Sequence, residues 1–272
     1  MKNAVIKKEQ TTPLILFGRL FVLLLSAVAI FPVIYMFANA FAKQTLGGFL
    51  PSQWGFSGFY EVFIRRPDYL IKFWNSLLLS GAIVAGQCVF SALAGYGFSK
   101  FAFPFKEAIY FVVIVLMLMP YQVTLVSNFI ITEALHLNNT YWAILLPGIF
   151  SPFGVFLMRQ GFDAMPESIR EAAMLEGSSQ VRLLVQIAAP VCKGPLTALI
   201  LLCFVDAWNM VEQPLVFLKE TFRYPISVFL VQMNESRMDI LCACGILVLL
   251  PVLLLFLFSE ENLTISVANL KI

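Results

Sequence analysis

Charged side chains are scarce in this chain. Asp, Glu, Lys and Arg make up 12% of its 272 residues, about half the share of an average soluble domain. That is too few to wet a globular surface, so an ordinary soluble fold is excluded. Histidine occurs once, at His136 in a short polar turn, where it reads as a solvated loop residue. A histidine metal cluster or a His-based triad therefore has no material. The five cysteines are an odd number and do not suit a disulfide framework. Cys88, Cys203, Cys242 and Cys244 fall inside apolar runs, and Cys192 falls in a stretch assigned to the cytoplasmic face. They read as small apolar side chains. The sequence has no Gly-x-x-x-x-Gly-Lys-Ser/Thr stretch to cradle nucleotide phosphates and no Gly-x-Ser-x-Gly elbow. Its apolar runs lack paired acids. The net charge of +2 is small and its basic residues are spread over loops, which excludes a nucleic-acid surface.

What is present is hydrophobic. Apolar residues make up 60% of the chain, Phe alone contributes 27, and the mean hydropathy is +0.86. The apolar residues come in blocks, several reaching the roughly 20 residues that cross a bilayer core about 30 Å thick. Six spans fit: Leu14 to Phe41, Phe73 to Phe98, Glu107 to Phe129 with Pro120 inside, Tyr141 to Met158 with Pro147 and Pro152, Pro195 to Val211, and Ile240 to Phe258 with Pro251. The prolines suggest bent helices packed around something. Gly81, Ala85, Ser91, Ala94, Gly95 and Gly97 in the second span favour close helix contact. Lys2, Lys7 and Lys8 before the first run, and Ala38-Asn39-Ala40 after it, imitate a signal peptide. The run from Leu14 to Phe37 is too long for a signal core of roughly 7 to 15 residues, so the expectation is an uncleaved first span. With both termini cytoplasmic, eleven of the eighteen basic residues lie inside, a bias in the direction of the positive-inside rule.

Of the loops, the inner one from Arg159 to Gly194 is the most informative. Pro166 is expected as the first residue of a helix running to Glu176, with Glu167 in its first turn, where the helix dipole favours acid. Ile169, Ala172, Ala173 and Leu175 share a broad arc, and Gly177 is expected as a left-handed cap. A second helical stretch from Ser178 carries Val181, Leu184 and Val185 on one side and is expected to stop at Pro190. The two alanines between Glu171 and Gly177 let another protein approach the backbone, and Glu171 can pair with a basic residue there. The competing reading is an amphipathic helix lying in the lipid interface.

Glu171-Ala172-Ala173, three residues, Gly177, nine residues, Ile187, two residues and Pro190 resemble the EAA loop of ABC-importer permeases. Ala189 stands where that family usually has leucine, and Glu176 where it often has aspartate. Phe156-Leu157-Met158-Arg159-Gln160, Asn75-Ser76-Leu77, the stretch from Tyr96 to Pro104, Leu137-Asn138-Asn139-Thr140-Tyr141, Trp208-Asn209 and Pro214-Leu215 add to the likeness. Together they resemble the smaller, maltose-type permease of carbohydrate importers over about residues 70 to 225. The tail from Ser259 departs from the family's usual ending.

The resemblance implies an all-α membrane protein of six transmembrane helices, with a cytoplasmic coupling-helix loop between spans four and five. It implies a single permease domain over residues 1–272, with a cytoplasmic segment at 1–13, the coupling loop at 159–194 and a cytoplasmic tail at 259–272. The expected function is a non-catalytic permease subunit of an ATP-driven importer, forming half of the path for a sugar or related solute in a bacterial inner membrane. The chain holds no cofactor; ATP and Mg belong to a partner ATPase. The implied partners are a second permease, two ATPase subunits and an extracellular or periplasmic solute-binding protein. Glu171, Ala172, Ala173 and Gly177 are carried over as ATPase-coupling residues. For the path, Asp206 is an ionisable residue at membrane depth, hence a functional candidate or a structural bond to a neighbouring helix. Trp208 and Asn209 form a stacking-and-amide pair suited to a sugar. Gln122 and Asn128, with Thr124 and Ser127 between them, form a second polar patch. The loop from Glu212 to Asp239 is a candidate contact for the binding protein. An ion-coupled transporter or channel, a non-sugar importer permease and a membrane-embedded enzyme are the competing classes. Scarce buried charges and the absence of matching broken half-repeats weigh against the first, and the missing catalytic clusters against the last.

Overall fold

In the computed structural model the described residues are 13–43, 51, 53–233 and 237–269; they are helical apart from connecting turns and one isolated antiparallel bridge between Ala42 and Trp54. Lys2, Lys7, Lys8 and Lys271 lie outside them, as do residues 44–50, 52 and 234–236, the last within the loop from Glu212 to Asp239. In chain order the helices are α1 (Pro13–Ala40), α2 (Ser57–Tyr60), α3 (Pro67–Lys100), α4 (Lys106–Leu118), α5 (Tyr121–Ala134), α6 (Trp142–Ile149) and α7 (Pro152–Asp163). They continue as α8 (Glu167–Leu175), α9 (Gln180–Leu183), α10 (Ala189–Val191), α11 (Lys193–Trp208), α12 (Glu212–Phe217), α13 (Ile226–Gln232) and α14 (Met238–Asn269).

Four stretches are long and apolar enough to cross a bilayer: Leu16–Ala40, Asp68–Lys100, Trp142–Asp163 and Met238–Glu260. Two helix pairs reach that length together but are bent, α4 with α5 by 105° and the α9–α10 segment with α11 by 81°. Counting each pair as one span gives the six expected. The third span is therefore not one bent helix but two helices meeting at a right angle. Met119 and Pro120 are both extended, at ψ 133° and 136°. Proline carries no N–H for the preceding ladder and forces the residue before it out of the helical region. At 13 residues, α4 is about 20 Å long, short of a bilayer core of about 30 Å.

Pro190 does not end the second inner-loop helix. A π turn at Leu184–Ala188 joins α9 to α10, and helical structure runs through Val191 before the bend. The wider i→i+5 turn shifts the hydrogen-bond ladder just ahead of the proline, which then sits in the first turn of α10, where its missing N–H matters little. The last helix also outruns its expected span, continuing through Asn269.

The chain divides into two compact units, residues 1–65 with 235–247 and residues 66–234 with 248–272. In the first, α1 exposes apolar side chains on every face from Leu16 to Ile34, as a helix surrounded by lipid does. The other end of the unit is held by Asp239, which is fully buried and accepts hydrogen bonds from Ser57 Oγ at 2.9 Å and Arg237 Nη2 at 2.6 Å. A Cβ at Gly58 would collide with the Asp239 carbonyl, so only glycine lets α2 lie this close.

In the second unit α3 is the axis. Close approaches are made by small residues. A Cβ at Gly95 would meet Arg159 N and Met158 Cβ, each at 2.8 Å, and one at Gly154 would collide with the Ser91 hydroxyl. Ser91 and Gly95 thus bear out the small-residue stripe, whereas Gly81 and Gly97 face open space. One apolar core joins Leu79 and Ile83 of α3 to Ala143 and Ile144 of α6, Cys203 and Ala207 of α11, and Phe217. A second joins Tyr96 of α3 to Met158 and Phe162 of α7, Ala173 of α8, Leu183 of α9 and Leu199 of α11. The five cysteines lie within the packing, half-buried at Cys88 and buried elsewhere.

Candidate functional site

Helix α8 begins at Glu167, with Pro166 as its extended N-cap residue at ψ 131° instead of its first turn. Glu167 accepts a hydrogen bond from Arg170 Nε and lies 3.5 Å from Lys100 Nζ. The bond from Arg170, with the charges of Arg170 and Lys100, holds the Glu167 carboxyl below its ordinary range. The helix ends in a Schellman motif: Gly177 N donates to Met174 O and Ser178 N to Ala173 O, both at 3.0 Å. Gly177 takes φ +78°, the left-handed value expected of it.

Only one narrow stripe of α8 is seated in the protein. Ala173 is 4% exposed and Ile169 packs beside it in the second core, one turn apart as i and i+4. The broad arc read from the sequence is therefore too wide. Ala172 is exposed, and Leu175 is 91% exposed. Glu171, Ala172, Leu175 and Gly177 form an accessible surface, with half-exposed Met174 among them. Leu175 was read from sequence into the same arc as Ile169, and Met174 was not singled out; the 100° step between residues, taken from the stripe Ile169–Ala173, places both outside.

A polar frame holds the ground beneath α8. Arg159 Nη2 donates to Glu107 Oε1 at 3.0 Å, its guanidinium sits 3.7 Å from the centre of the Tyr110 ring, and Ser99 Oγ donates to Asp163 at 2.6 Å. Tyr96 meets Phe162 edge-on at 5.4 Å, and its hydroxyl donates to Gln180 at 3.4 Å. Displacement of α8 must therefore reach α3, α7 and α11, because their side chains share its core and cores are close-packed.

Between the helices of the same unit lies an open groove of about 1110 Å³. Gln122, Thr124 and Asn128 reach it from α5, and Asp206 and Asn209 from α11 and its end. Glu212 and Gln213 of α12 line it, as do Tyr121, Phe150 and Phe153. The two polar patches predicted separately thus face one space, and Gln122 Nε2 donates to Glu212 at 3.3 Å. The 105° break at Pro120 turns the start of α5 toward this space. Ser127 is exposed and lies off the lining.

Trp208 is a correction. It is 1% exposed, stacks on Phe204 at 5.5 Å, meets Phe73 edge-on at 5.6 Å and donates from its indole N–H to Val248 O at 3.1 Å. Adjacent residues on a helix point about 100° apart, so Asn209 reaches the groove and Trp208 is buried in the helix packing. The aromatic surfaces in the groove are Tyr121, Phe150 and Phe153, none of which was singled out from sequence.

Two motifs of the family likeness act as fasteners. Asn139, at φ 61°, accepts from Lys219 N at 3.0 Å and donates to Glu220 at 3.1 Å, while Arg223 donates to its carbonyl at 2.7 Å. Asn75 Nδ2 donates to Phe222 O, and Ser76 Oγ accepts from Ile226 N, both at 2.7 Å. Together they tie residues 217–226 onto α3 and the α5–α6 turn.

Apolar helices, a polar groove among them and a seated surface helix define a membrane permease. The chain belongs to the family described as binding-protein-dependent transport system inner membrane component, whose profile matches residues 87–264. It is a non-catalytic, multi-pass permease subunit of a binding-protein-dependent ABC importer in the bacterial inner membrane, with no cofactor of its own. It is 29% identical over 252 residues to the arabinooligosaccharides transport system permease protein AraQ of Bacillus subtilis (strain 168), covering 89% of this chain and 90% of that one. It is 27% identical over 255 residues to the maltodextrin transport system permease protein MdxG of the same organism, covering 89% and 90%. In fold it is similar to a chain of a bacterial ABC transporter involved in the import of the acidic polysaccharide alginate. There the TM-score is 0.80 at 21% identity, covering 90% of this chain and 96% of that one.

Proposed function

We propose that this chain forms half of the translocation path for a sugar or oligosaccharide and is driven by a cytoplasmic ATPase that docks on α8. The observation that carries the proposal is the two-sidedness of α8. Ile169 and Ala173 belong to the core shared with α3, α7 and α11, while Glu171, Ala172 and Gly177 are open to a partner. A push on the outer face is delivered to the helices that line the groove. Ala173, expected as a contact, serves instead as the seat, and Leu175 adds an apolar anchor to the docking face. A carboxylate beside small and apolar side chains suits a partner cleft with a basic rim.

Glu171, Ala172, Ala173 and Gly177 are thus the coupling set, within a loop spanning 159–194. The sugar class is supported by the likeness to permeases for arabinooligosaccharides and maltodextrin. The path residues are Asp206, Asn209, Gln122 and Asn128, joined by Tyr121 and Glu212, and a second permease closes the groove. A single permease domain with both termini cytoplasmic puts the coupling loop on the side where ATP is available. The fastened loop at 217–226 then faces the binding protein.

Glu171→Arg tests the docking. The variant is expected to insert and fold as the parent does, but to lose ATPase co-purification and solute uptake by about tenfold or more, as reversal of an interface charge does. Parental assembly with parental uptake would sink the coupling role.

A further inference from the structure

The groove has a charge character that bears on which solute it accepts. Among the described residues lining it, the charged side chains are Asp206 and Glu212; no Lys, Arg or His faces it. The other polar side chains are mostly amides and hydroxyls, among them those of Gln122, Asn128, Asn209, Thr124 and Tyr121. An anion in such a space meets like charge and gives up water without gaining a cation. An uncharged sugar finds what it needs: carboxylates accept strongly from hydroxyls, amides both donate and accept, and aromatic faces cover apolar C–H surface. We infer that this groove admits uncharged or cationic carbohydrates and rejects anionic ones such as uronates and sugar phosphates. The inference rests on the groove being the translocation path, as proposed above.

The test uses the assembled transporter, with partner permease, ATPase and binding protein, in proteoliposomes. Asn209→Cys places a reporter thiol three residues from Asp206, and the complex without it serves as the blank for native cysteines. Two methanethiosulfonates of similar size are compared, a trimethylammonium and a sulfonate, each normalised to its rate with a free thiol. The cationic reagent should react about tenfold faster, as field focusing in an acidic cleft produces. Asp206→Asn with Glu212→Gln should bring the ratio close to one, and Glu212→Gln alone, should the pair fail to assemble, should reduce it part of the way. Equal rates, or a faster sulfonate, overturn the charge reading while leaving the groove as the path. Labelling by neither reagent removes the groove as a path and this inference with it. ATP-driven uptake of a labelled oligogalacturonate or of glycerol 3-phosphate by the parent complex also overturns it.

Discussion

Asn139 ties its turn to residues 219–223 from one left-handed position, accepting from Lys219, donating to Glu220 and offering its carbonyl to Arg223. Asparagine tolerates that conformation better than most residues. Asn139→Ala should therefore lower stability by about 1–3 kcal/mol, the usual effect of leaving partners unsatisfied, read as a lower thermal midpoint of the solubilised protein. Trp208 makes the opposite kind of contribution, filling space and satisfying one buried N–H. Trp208→Ala should cost about 3–5 kcal/mol, while a milder Trp208→Phe should leave the order of preference among transported solutes unchanged. A changed preference would return Trp208 to the path. Glu167 supplies a pH dependence. Its folded carboxyl titrates below its ordinary 4.5, so its contribution is present above that value and disappears as pH falls through the lowered one. Protease nicking of residues 167–177 should rise in that acid range, and Glu167→Gln should flatten the dependence. Because Glu167 is solvent-exposed, salt should weaken the effect.

At the scale of elements, α8 has a stop and a seat, and each can be perturbed separately. Gly177→Ala has room for its Cβ but keeps φ +78°, a conformation that costs an L-residue about 1–2 kcal/mol. Ala173→Leu overpacks the second core, at about 1–3 kcal/mol. Both substitutions should reduce the uptake obtained per ATP hydrolysed in the reconstituted transporter. The Gly177 cap was legible in sequence because a single turn determines it. The narrowness of the Ile169–Ala173 seat was not, because it depends on where α3, α7 and α11 place their side chains. The same division holds for Pro120 and Pro190. Each was visible as an interruption, yet Pro120 turns the chain through a right angle while Pro190 is passed by a π turn. Local sequence names the missing N–H; the surrounding packing decides how the chain accommodates it.

For the whole molecule, the proposed orientation has a direct check. Leu175→Cys should react with an impermeant thiol reagent only from the cytoplasmic side, and Lys219→Cys only from the opposite side. Labelling of both from one side would reject it. The groove is also a property of this scale. Gln122 and Asn128 were picked out as one patch and Asp206 and Asn209 in another, and they prove to share one space. Tyr121, Phe150 and Glu212 complete its lining but gave little signal, because aromatic and loop residues are ordinary in a membrane sequence.

Composition and run length by themselves determined a helical membrane protein with four to six candidate spans, since a bilayer core demands long apolar helices whatever their partners. The spacing around Glu171 and Gly177 determined helix α8 and its cap, since both are local structures. Tertiary structure alone decided that Trp208 is buried and Asn209 faces the groove, and that Ala173 is the seat and Leu175 the exposed face. Each of these depends on how a helix is rotated about its axis. That rotation is set by close packing against neighbours more than 50 residues away in the chain, as in the ring contact of Trp208 with Phe73 and the core that Ala173 shares with Tyr96.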